Sequence, residues 1–197
     1  MRKIILILGG ARSGKSHYAV ELAKKLGNSS SLTGSRMGRD SVATSRTVFL
    51  ATMECLDEEM QERIKLHRQH RPAEWQTVEE GKNVDQIILN LKGLCDVVII
   101  DCLTNLVSNL LLELQEIDKV KARIEEIIQV IGQLDATVLI VSNEVGCSVV
   151  PETPLGRKFR DVAGIANQLV AKYADEVYLL TAGIPVRLKP QIDTDKH

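Results

Sequence analysis

Runs of apolar residues alternate with amphipathic segments along most of the chain. Residues 3–8, 96–101 and 137–142 are short, continuous and rich in β-branched side chains, as expected for strands buried on both faces of a parallel sheet. Shorter runs predict strands at 48–51, 176–180 and 186–188. The spacing of apolar positions predicts helices over 57–70, 84–91, 103–113, 117–134 and 159–173.

A further helix is predicted directly after the first strand. Tyr18, Leu22 and Leu26 share a helical stripe, and Gly27 closes the segment as a C-cap would. Strands and helices therefore alternate throughout. This alternation predicts an α/β fold with a mostly parallel, doubly wound sheet and helices on both faces.

The segment between the first strand and its helix has the chemistry of a phosphate-binding loop. It matches GxxxxGK[ST] at every fixed position, and a strand before it and a helix after it are the context that this motif requires. Backbone N–H groups would surround the β-phosphate, Lys15 would neutralise phosphate oxygens, and the Ser16 hydroxyl would bind Mg²⁺. The predicted nucleotide-binding residues are Gly9, Gly10, Ala11, Arg12, Ser13, Gly14, Lys15 and Ser16.

A second metal-side residue is expected at the end of a distant apolar strand. Asp101 follows the run 97–100 and fits that place, so the predicted metal ligands are Ser16 and Asp101. The alternative is that Asp101 caps the helix that follows it. Together the motifs predict a single P-loop NTPase-like domain over residues 1–190 that uses ATP or GTP.

Two polar segments interrupt or follow this pattern. Residues 28–46 contain six serines and two glycines with almost no apolar periodicity, and are predicted to be a flexible insert loop. Its arginines, Arg36, Arg39 and Arg46, either reach the nucleotide or are solvated loop charges. Residues 191–197 read as a polar C-terminal tail.

Composition narrows the class of partner. The chain has 25 Lys plus Arg against 26 Asp plus Glu, a balance that offers no basic surface for nucleic acid. No apolar run is long enough to span a membrane, and a cytoplasmic location is expected. The four cysteines lack CxxC spacing, and Cys95 and Cys102 are interpreted as core residues instead of nucleophiles.

Several motifs, taken in order, resemble one family over nearly the whole chain. They are the loop 9–16, Arg63 and His67 with Arg71-Pro72 and Trp75, the sequence Asn143-Glu144-Val145-Gly146, and Phe159-Arg160-Asp161 with Gly164, Asn167 and Gln168. The combination resembles the bifunctional adenosylcobinamide kinase/adenosylcobinamide-phosphate guanylyltransferase of cobalamin biosynthesis.

The resemblance implies two reactions. The first phosphorylates the aminopropanol hydroxyl of adenosylcobinamide with ATP or GTP. The second transfers GMP from GTP to adenosylcobinamide phosphate through a GMP-histidine intermediate, giving adenosylcobinamide-GDP. It also implies a homotrimer.

The family motif places the nucleophilic histidine at His67. Neutral imidazole is a competent nucleophile toward phosphorus, and Arg63, Arg68 and Arg71 would neutralise the triphosphate during attack. His70, about one helical turn further on, is the rival candidate. The plain alternative is that His67 is an ordinary helix residue and the arginines form a solvated face.

Family similarity adds further nucleotide contacts, while the roles of Glu144, Arg160 and Asp161 stay open between catalysis and structure. The added residues are Ala51, Thr52, Met53, Arg68, Gln69, His70, Arg71, Glu79 and Asp101. Two departures weaken the analogy: the segment 28–46 exceeds the family's short connector, and relatives can carry Glu at the position of Asp101. The alternatives are a P-loop kinase without guanylyl transfer and a nucleotide-dependent switch.

Overall fold

A computed structural model describes residues 2–32, 46–54, 71–147 and 149–189, and the side chains of 28–32 lie outside that description. Its strands are β1 (Ile4–Gly9), β2 (Thr47–Ala51), β3 (Gln76–Glu79), β4 (Val97–Asp101), β5 (Thr137–Asn143), β6 (Glu176–Thr181) and β7 (Ile184–Lys189). The described helices are α1 (Lys15–Leu32), α2 (Val84–Asn90), α3 (Leu103–Leu114), α4 (Ile117–Ile131) and α5 (Pro154–Tyr173).

The seven strands form one sheet in the order β3-β2-β4-β5-β1-β6-β7. All neighbouring pairs are parallel except β6 and β7, which form an antiparallel hairpin at one edge. Ala182 and Gly183 connect these two strands and have φ values of 52° and 81°, as a two-residue type I′ turn requires. The predicted α/β class and mostly parallel sheet are thus confirmed.

The two faces of the sheet are covered by different helices. On one face, Ile5, Ile7, Phe49, Ile99 and Leu139 pack with α1, which lies over β4, β5 and β1. On the other face, the alternate residues of the same strands pack with α2, α3, α4 and α5. Both faces are therefore apolar, which explains why these strands are continuous apolar runs in the sequence.

The structure differs from the sequence prediction at several boundaries. Helix α1 continues to Leu32, so Gly27 is a buried position within the helix instead of its C-cap, and 28–32 are not loop. Glycine lowers helix stability without forbidding a helix, and continued backbone bonding outweighs that cost here. Helix α5 begins at Pro154, five residues early, because Thr153 accepts a hydrogen bond from the Gly156 N–H at 3.1 Å.

Strand β3 has no counterpart in the prediction. Gln76–Glu79 is a polar, mostly exposed strand at the edge of the sheet, so it lacks the apolar run by which buried strands are recognised. The predicted helix 57–70 lies outside the described residues, as do Arg36 and Arg39. In the described part of the chain, none of the helices has the length and apolarity needed to cross a membrane.

Arg46 lies at the end of the sheet opposite the phosphate loop. Its backbone N–H and guanidinium bind the Asp96 carboxylate at 3.1 and 3.4 Å, and the guanidinium also donates to the Gly93 carbonyl at 3.2 Å. Strand β2 runs from Thr47 to Ala51 toward the loop. Arg46 therefore lies at the opposite end of this strand from the loop, too far away to contact a nucleotide there. That possible role is therefore wrong.

One ion pair joins α2 to α4. The Arg123 guanidinium donates to both Asp85 carboxylate oxygens, one of them at 3.1 Å, and both side chains are less than a quarter exposed. Burial alone would raise the pKa of Asp85, but the hydrogen bond and charge of Arg123 outweigh it and lower that pKa. A carboxyl whose pKa is lowered on folding stabilises the fold above its unfolded pKa, and this contribution is lost as the pH falls.

We expect Asp85→Asn to lower the free energy of unfolding at pH 7 by about 1–2 kcal/mol. The difference from wild type should shrink below about pH 4, where the unfolded carboxyl protonates. Urea denaturation at pH 7 and below about pH 4 measures the difference in the free energy of unfolding. The control is Glu116→Gln, which removes an exposed pair with Lys119 and should leave the midpoint unchanged. An unchanged midpoint for Asp85→Asn at pH 7 would contradict the prediction.

Candidate active site

The phosphate loop turns sharply because its backbone enters conformations that most residues avoid. Arg12 and Gly14 have φ values of 56° and 93°. The Ser13 N–H donates to the Gly10 carbonyl at 3.3 Å, and the Tyr18 N–H donates to the Gly14 carbonyl at 2.9 Å as α1 begins. The loop therefore presents the N-terminus of α1, with its positive end of the helix dipole, to an incoming phosphate.

The β6–β7 hairpin supports this loop from the side. The Gly183 N–H donates to the Ser13 carbonyl at 3.0 Å, and a Cβ on Gly14 would lie 3.2 Å from the Gly183 Cα. At Gly14 both this close approach and the φ of 93° favour glycine, whereas at Gly183, where a Cβ would meet no atom within 4 Å, the φ of 81° favours it. The antiparallel edge hairpin thus helps to shape the loop.

Lys15 lies in the loop with little exposure to solvent. Its ammonium donates to the Gly10 carbonyl at 2.6 Å and lies 3.5 Å from the Ser13 hydroxyl. Burial lowers the pKa of Lys15, and the negative charge of Asp101 acts in the opposite direction. A buried ammonium bound mainly by a neutral carbonyl would gain strongly from an anionic phosphate oxygen.

The register of the sheet gathers four strand ends around the loop. Gly9 pairs with Asn143, Asp101 pairs with Val141, and Ala51 pairs with Asp101. Because paired residues of a parallel sheet share a face, these positions lie on the α1 side of the sheet at its carboxyl edge. Asp101 is thereby brought to the same cleft as Lys15.

This cleft has a volume of about 650 Å³. Eleven predicted site residues line it: Ala11, Arg12, Ser13, Gly14, Lys15, Ser16, Ala51, Met53, Arg71, Glu79 and Asp101. Gly9 and Gly10 precede them at the start of the loop and are not part of the lining. His67, Arg68, Gln69 and His70 lie outside the described residues, as does Arg63, so their predicted roles remain predictions.

Thr52 takes a different position from the one that a direct nucleotide contact would need. Its side chain is fully buried, donates to the Cys102 carbonyl at 2.6 Å and accepts from the Cys102 N–H at 2.8 Å. Its own carbonyl accepts from Asn109 at 3.0 Å. Thr52 therefore joins the ends of β2 and β4, and a nucleotide contact by its side chain stays a prediction that this geometry does not favour.

Arg71 is held in the cleft by an aromatic ring. Its guanidinium carbon lies 3.6 Å from the centre of the Phe49 ring, which is buried on the α1 face of β2. A guanidinium over an aromatic face is stabilised by cation–π attraction and keeps its charge. The interaction directs a permanent positive charge toward the cleft.

Five further residues line the cleft without a site role predicted from the sequence: His17, Cys102, Asn105, Val141 and Asn143. Of these, Asn143 had a usable signal, since it directly follows the predicted strand 137–142 and begins one of the motifs that carry the family resemblance. Burial raises the pKa of the Cys102 thiol to about 11, with a further contribution from Asp101, so the thiol is protonated and structural.

Asn109 organises the cleft from behind. Its buried amide donates to the Thr52 carbonyl at 3.0 Å and to the Gly81 carbonyl at 2.9 Å. It therefore ties together the segments that follow β2 and β3, next to the cleft residues Met53 and Glu79. A single asparagine within an apolar helix gave no sequence signal for this role.

The residues with open roles have local partners. The Glu144 carboxylate accepts from the Gly146 N–H at 3.1 Å, and Arg160 pairs with its neighbour Asp161 at 3.0 Å. Among the described residues, these three are not part of the cleft lining. Their structural contacts are therefore present, while catalytic roles stay open.

The donor set suits magnesium held jointly with a nucleotide. No cluster of three or more His, Cys, Asp or Glu residues that could hold a metal occurs in the described ranges. However, the Ser16 hydroxyl and the Asp101 carboxylate line one cleft, and both are hard oxygen donors. Mg²⁺ commonly takes one or two such protein ligands and completes its shell with phosphates and water, so these residues fit it.

Comparison with known proteins identifies the family to which this site belongs. The family described as "Cobinamide kinase / cobinamide phosphate guanyltransferase" matches residues 5–188. The chain belongs to this family. Members are bifunctional enzymes, so this chain is a kinase and a nucleotidyltransferase of cobalamin biosynthesis.

Curated relatives support the same family. The bifunctional adenosylcobalamin biosynthesis protein CobU of Escherichia coli K12 is 37% identical over 198 residues, covering 94% of this chain and 99% of its own. The corresponding CobP of Pseudomonas aeruginosa is 35% identical, covering 93% of this chain and 96% of its own.

Among solved structures, a KaiC-like protein from Pyrococcus horikoshii aligns with 90% of this chain and 70% of its own, at a TM-score of 0.48 and 14% identity.

The close approach at Gly9 generates a test of the loop geometry. A Cβ on Gly9 would lie 2.6 Å from the Leu180 carbonyl oxygen and 2.6 Å from the Ser13 hydroxyl. We expect Gly9→Ala to lower stability by about 1–3 kcal/mol and to weaken nucleotide binding, because backbone must move. Thermal unfolding and nucleotide titration measure the two effects.

Gly10→Ala is the matched control for stability. No atom lies within 4 Å of a Cβ at Gly10, so its melting temperature should stay at the wild-type value. Equal melting temperatures for the two variants would show that the packing of β1 against β6 does not require glycine at position 9.

Proposed function

We propose that the enzyme phosphorylates the aminopropanol hydroxyl of adenosylcobinamide and then converts the product to adenosylcobinamide-GDP with GTP. The observation that carries this proposal is the single cleft in which a complete phosphate loop, Asp101 and Arg71 meet, in a chain matched to the bifunctional family over residues 5–188. One phosphate-binding site would thus serve two different bond cleavages.

In the kinase step, the loop would hold the β- and γ-phosphates of ATP or GTP. Lys15 would exchange its contact with the Gly10 carbonyl for phosphate oxygens, and the N-terminus of α1 would add positive potential. Ser16 and Asp101 would hold Mg²⁺, which supplies charge neutralisation to the phosphates when bound. The bond between the γ-phosphorus and the bridging oxygen breaks as the substrate hydroxyl oxygen bonds to phosphorus.

In the guanylyl transfer step, His67 would attack the α-phosphorus of GTP. A nitrogen–phosphorus bond forms, the bond to the β-phosphate oxygen breaks, and pyrophosphate leaves with the electron pair. A phosphate oxygen of the corrinoid substrate would then displace the histidine to give the GDP-linked product. Lys15 and the loop would bind the departing pyrophosphate.

The placement of two described residues supports a role for the segment that contains His67. Met53 precedes this segment, Arg71 follows His67 by four residues, and both line the cleft. The described residues on either side of this segment therefore both lie at the cleft. Arg71, stacked on Phe49, would place positive charge near the triphosphate.

Family resemblance also leads us to propose a cytoplasmic homotrimer. On the described surface, Ile184, Val186 and Leu188 alternate along the edge strand β7 and are 66%, 49% and 43% exposed. An exposed apolar face on an edge strand is suited to contact with another subunit. Light scattering coupled to size exclusion would determine the mass.

The guanylyl intermediate can be tested by labelling. Incubation with α-labelled GTP should leave label on the protein that is acid-labile and alkali-stable, as expected for a phosphoramidate. We expect His67→Ala to lose this label, while His70→Ala and His17→Ala retain it. Label that persists on His67→Ala would exclude His67 as the nucleophile.

A product assay separates the two enzymatic reactions. With adenosylcobinamide, GTP and Mg²⁺, wild type should form the phosphorylated corrinoid and then the GDP-linked corrinoid, whereas His67→Ala should stop at the phosphorylated one. A wild-type enzyme that also stops there would be a kinase alone. Slow GTP hydrolysis with no corrinoid product would instead indicate a nucleotide-dependent switch.

A further inference from the structure

Four residues at the carboxyl end of β5 form a closed ring of hydrogen bonds. The Asn143 N–H donates to the Thr104 hydroxyl at 2.7 Å, and the Thr104 and Ser142 hydroxyls are 3.1 Å apart. The Ser142 hydroxyl donates to the Asn167 side-chain oxygen at 2.6 Å. The ring closes where the Asn167 amide donates to the Asn143 carbonyl at 3.2 Å.

The direction of each hydrogen bond in the ring follows from the available hydrogens. Ser142 has one hydroxyl hydrogen, which it uses on Asn167, so Thr104 must be the donor to Ser142. The Thr104 oxygen is then left to accept from the Asn143 N–H. Each of the four hydrogen bonds thus has one donor and one acceptor, and the ring has a single hydrogen-bond pattern.

Burying these polar side chains would destabilise the fold if they had no hydrogen-bond partners. Thr104, Ser142 and Asn167 are each at most 5% exposed, between the sheet and helices α3 and α5. Buried polar groups that satisfy each other add rigidity and specify one geometry. Both backbone groups of Asn143 are held by this ring, and the next residue, Glu144, donates its N–H to the Gly9 carbonyl at 3.0 Å.

The Asn143 side chain points away from the ring. Leu139 and Val141 pack on the α1 face of β5, and Asn143 is the next residue of that row, so Ser142 faces the ring while Val141 and Asn143 line the cleft. Strand β5 lies between β1, which leads into the phosphate loop, and β4, which ends in Asp101. Strands β1 and β4 are about 10 Å apart, and Asn143 lies between them.

We propose that Asn143 is a catalytic residue of the kinase step, whose carboxamide N–H donates a hydrogen bond to the terminal phosphoryl group of the bound nucleoside triphosphate. Thr104, Ser142 and Asn167 are its positioning residues. This inference rests on the proposed function only in requiring a triphosphate in the cleft.

The role follows from where charge moves in the reaction. As the γ-phosphorus bonds to the acceptor oxygen, its bond to the bridging oxygen breaks, the nucleoside diphosphate keeps the electron pair, and the hydroxyl proton leaves to solvent. A neutral donor held rigidly against the transferring oxygens stabilises their charge without reorganising. Lys15 and the loop amides hold the remaining phosphates.

The test compares the affinity for ADP with that for a non-hydrolysable ATP analogue, each with Mg²⁺, and repeats it with the guanine nucleotides. Because ADP lacks the terminal phosphoryl group, we expect Asn143→Ala to weaken analogue binding about tenfold and ADP binding less than about threefold. The kcat for corrinoid phosphorylation should fall about 100-fold. Asn143→Asp, which keeps the shape and adds a negative charge, should lose analogue affinity at least as strongly.

Thr104 offers a matched pair of variants for the positioning ring. Thr104→Val keeps the shape but removes the hydroxyl, so it should lower both kcat and the ratio of analogue to ADP affinity. Thr104→Ser restores the hydroxyl and should restore both. Asn90→Ala, at the exposed end of α2, is the neutral control.

Two results would overturn the inference. If each of the two variants, Asn143→Ala and Asn143→Asp, weakens analogue binding and ADP binding by the same factor, contact with the terminal phosphoryl group is excluded. A Thr104→Val enzyme that is less stable but keeps the affinity ratio would exclude positioning by the ring. If wild type does not phosphorylate the corrinoid, the proposed function fails, but the affinity ratios still decide the role of Asn143.

Discussion

Burial of the central strands on both faces is the constraint on which the other features depend. Strands β1, β4 and β5 are apolar on the α1 face and on the face covered by the other helices. Polar groups are therefore confined to the places where these strands end. Parallel pairing puts those ends at one edge of the sheet, and the register aligns Gly9 with Asn143 and Asp101 with Val141.

The phosphate loop depends on support from several directions. The β6–β7 turn binds the Ser13 carbonyl, the end of β5 binds the Gly9 carbonyl through Glu144, and α1 begins within the loop. A loop held by backbone contacts on both sides can keep its N–H groups directed at an anion before the anion arrives. Such pre-organisation reduces the free energy lost in ordering the site on binding.

Buried asparagines and hydroxyls extend this support behind the cleft. Thr52 and Asn109 hold the ends of β2, β3 and β4, while Thr104, Ser142 and Asn167 hold the end of β5. Ser142 links the side chains of Thr104 and Asn167, and each of the other side chains binds a backbone group at or just past the end of a strand. The chemistry-bearing residues thus lie on a rigid frame, which suits an enzyme that must align phosphates for two reactions.

The sequence alone determined the fold class, the loop at 9–16, the acid Asp101 and the family, because periodicity and motif spacing are local properties of the chain. It missed the polar edge strand β3 and Asn109, whose roles depend on neighbours that are distant in sequence, and it ended α1 at Gly27 although the helix continues to Leu32. Only the tertiary structure decided which strand ends share a cleft, that Arg46 lies at the end of the sheet opposite the loop, and that Asn143 lies between the loop and Asp101. The physical reason is that strand order and register are set by packing between elements, which local sequence patterns do not encode.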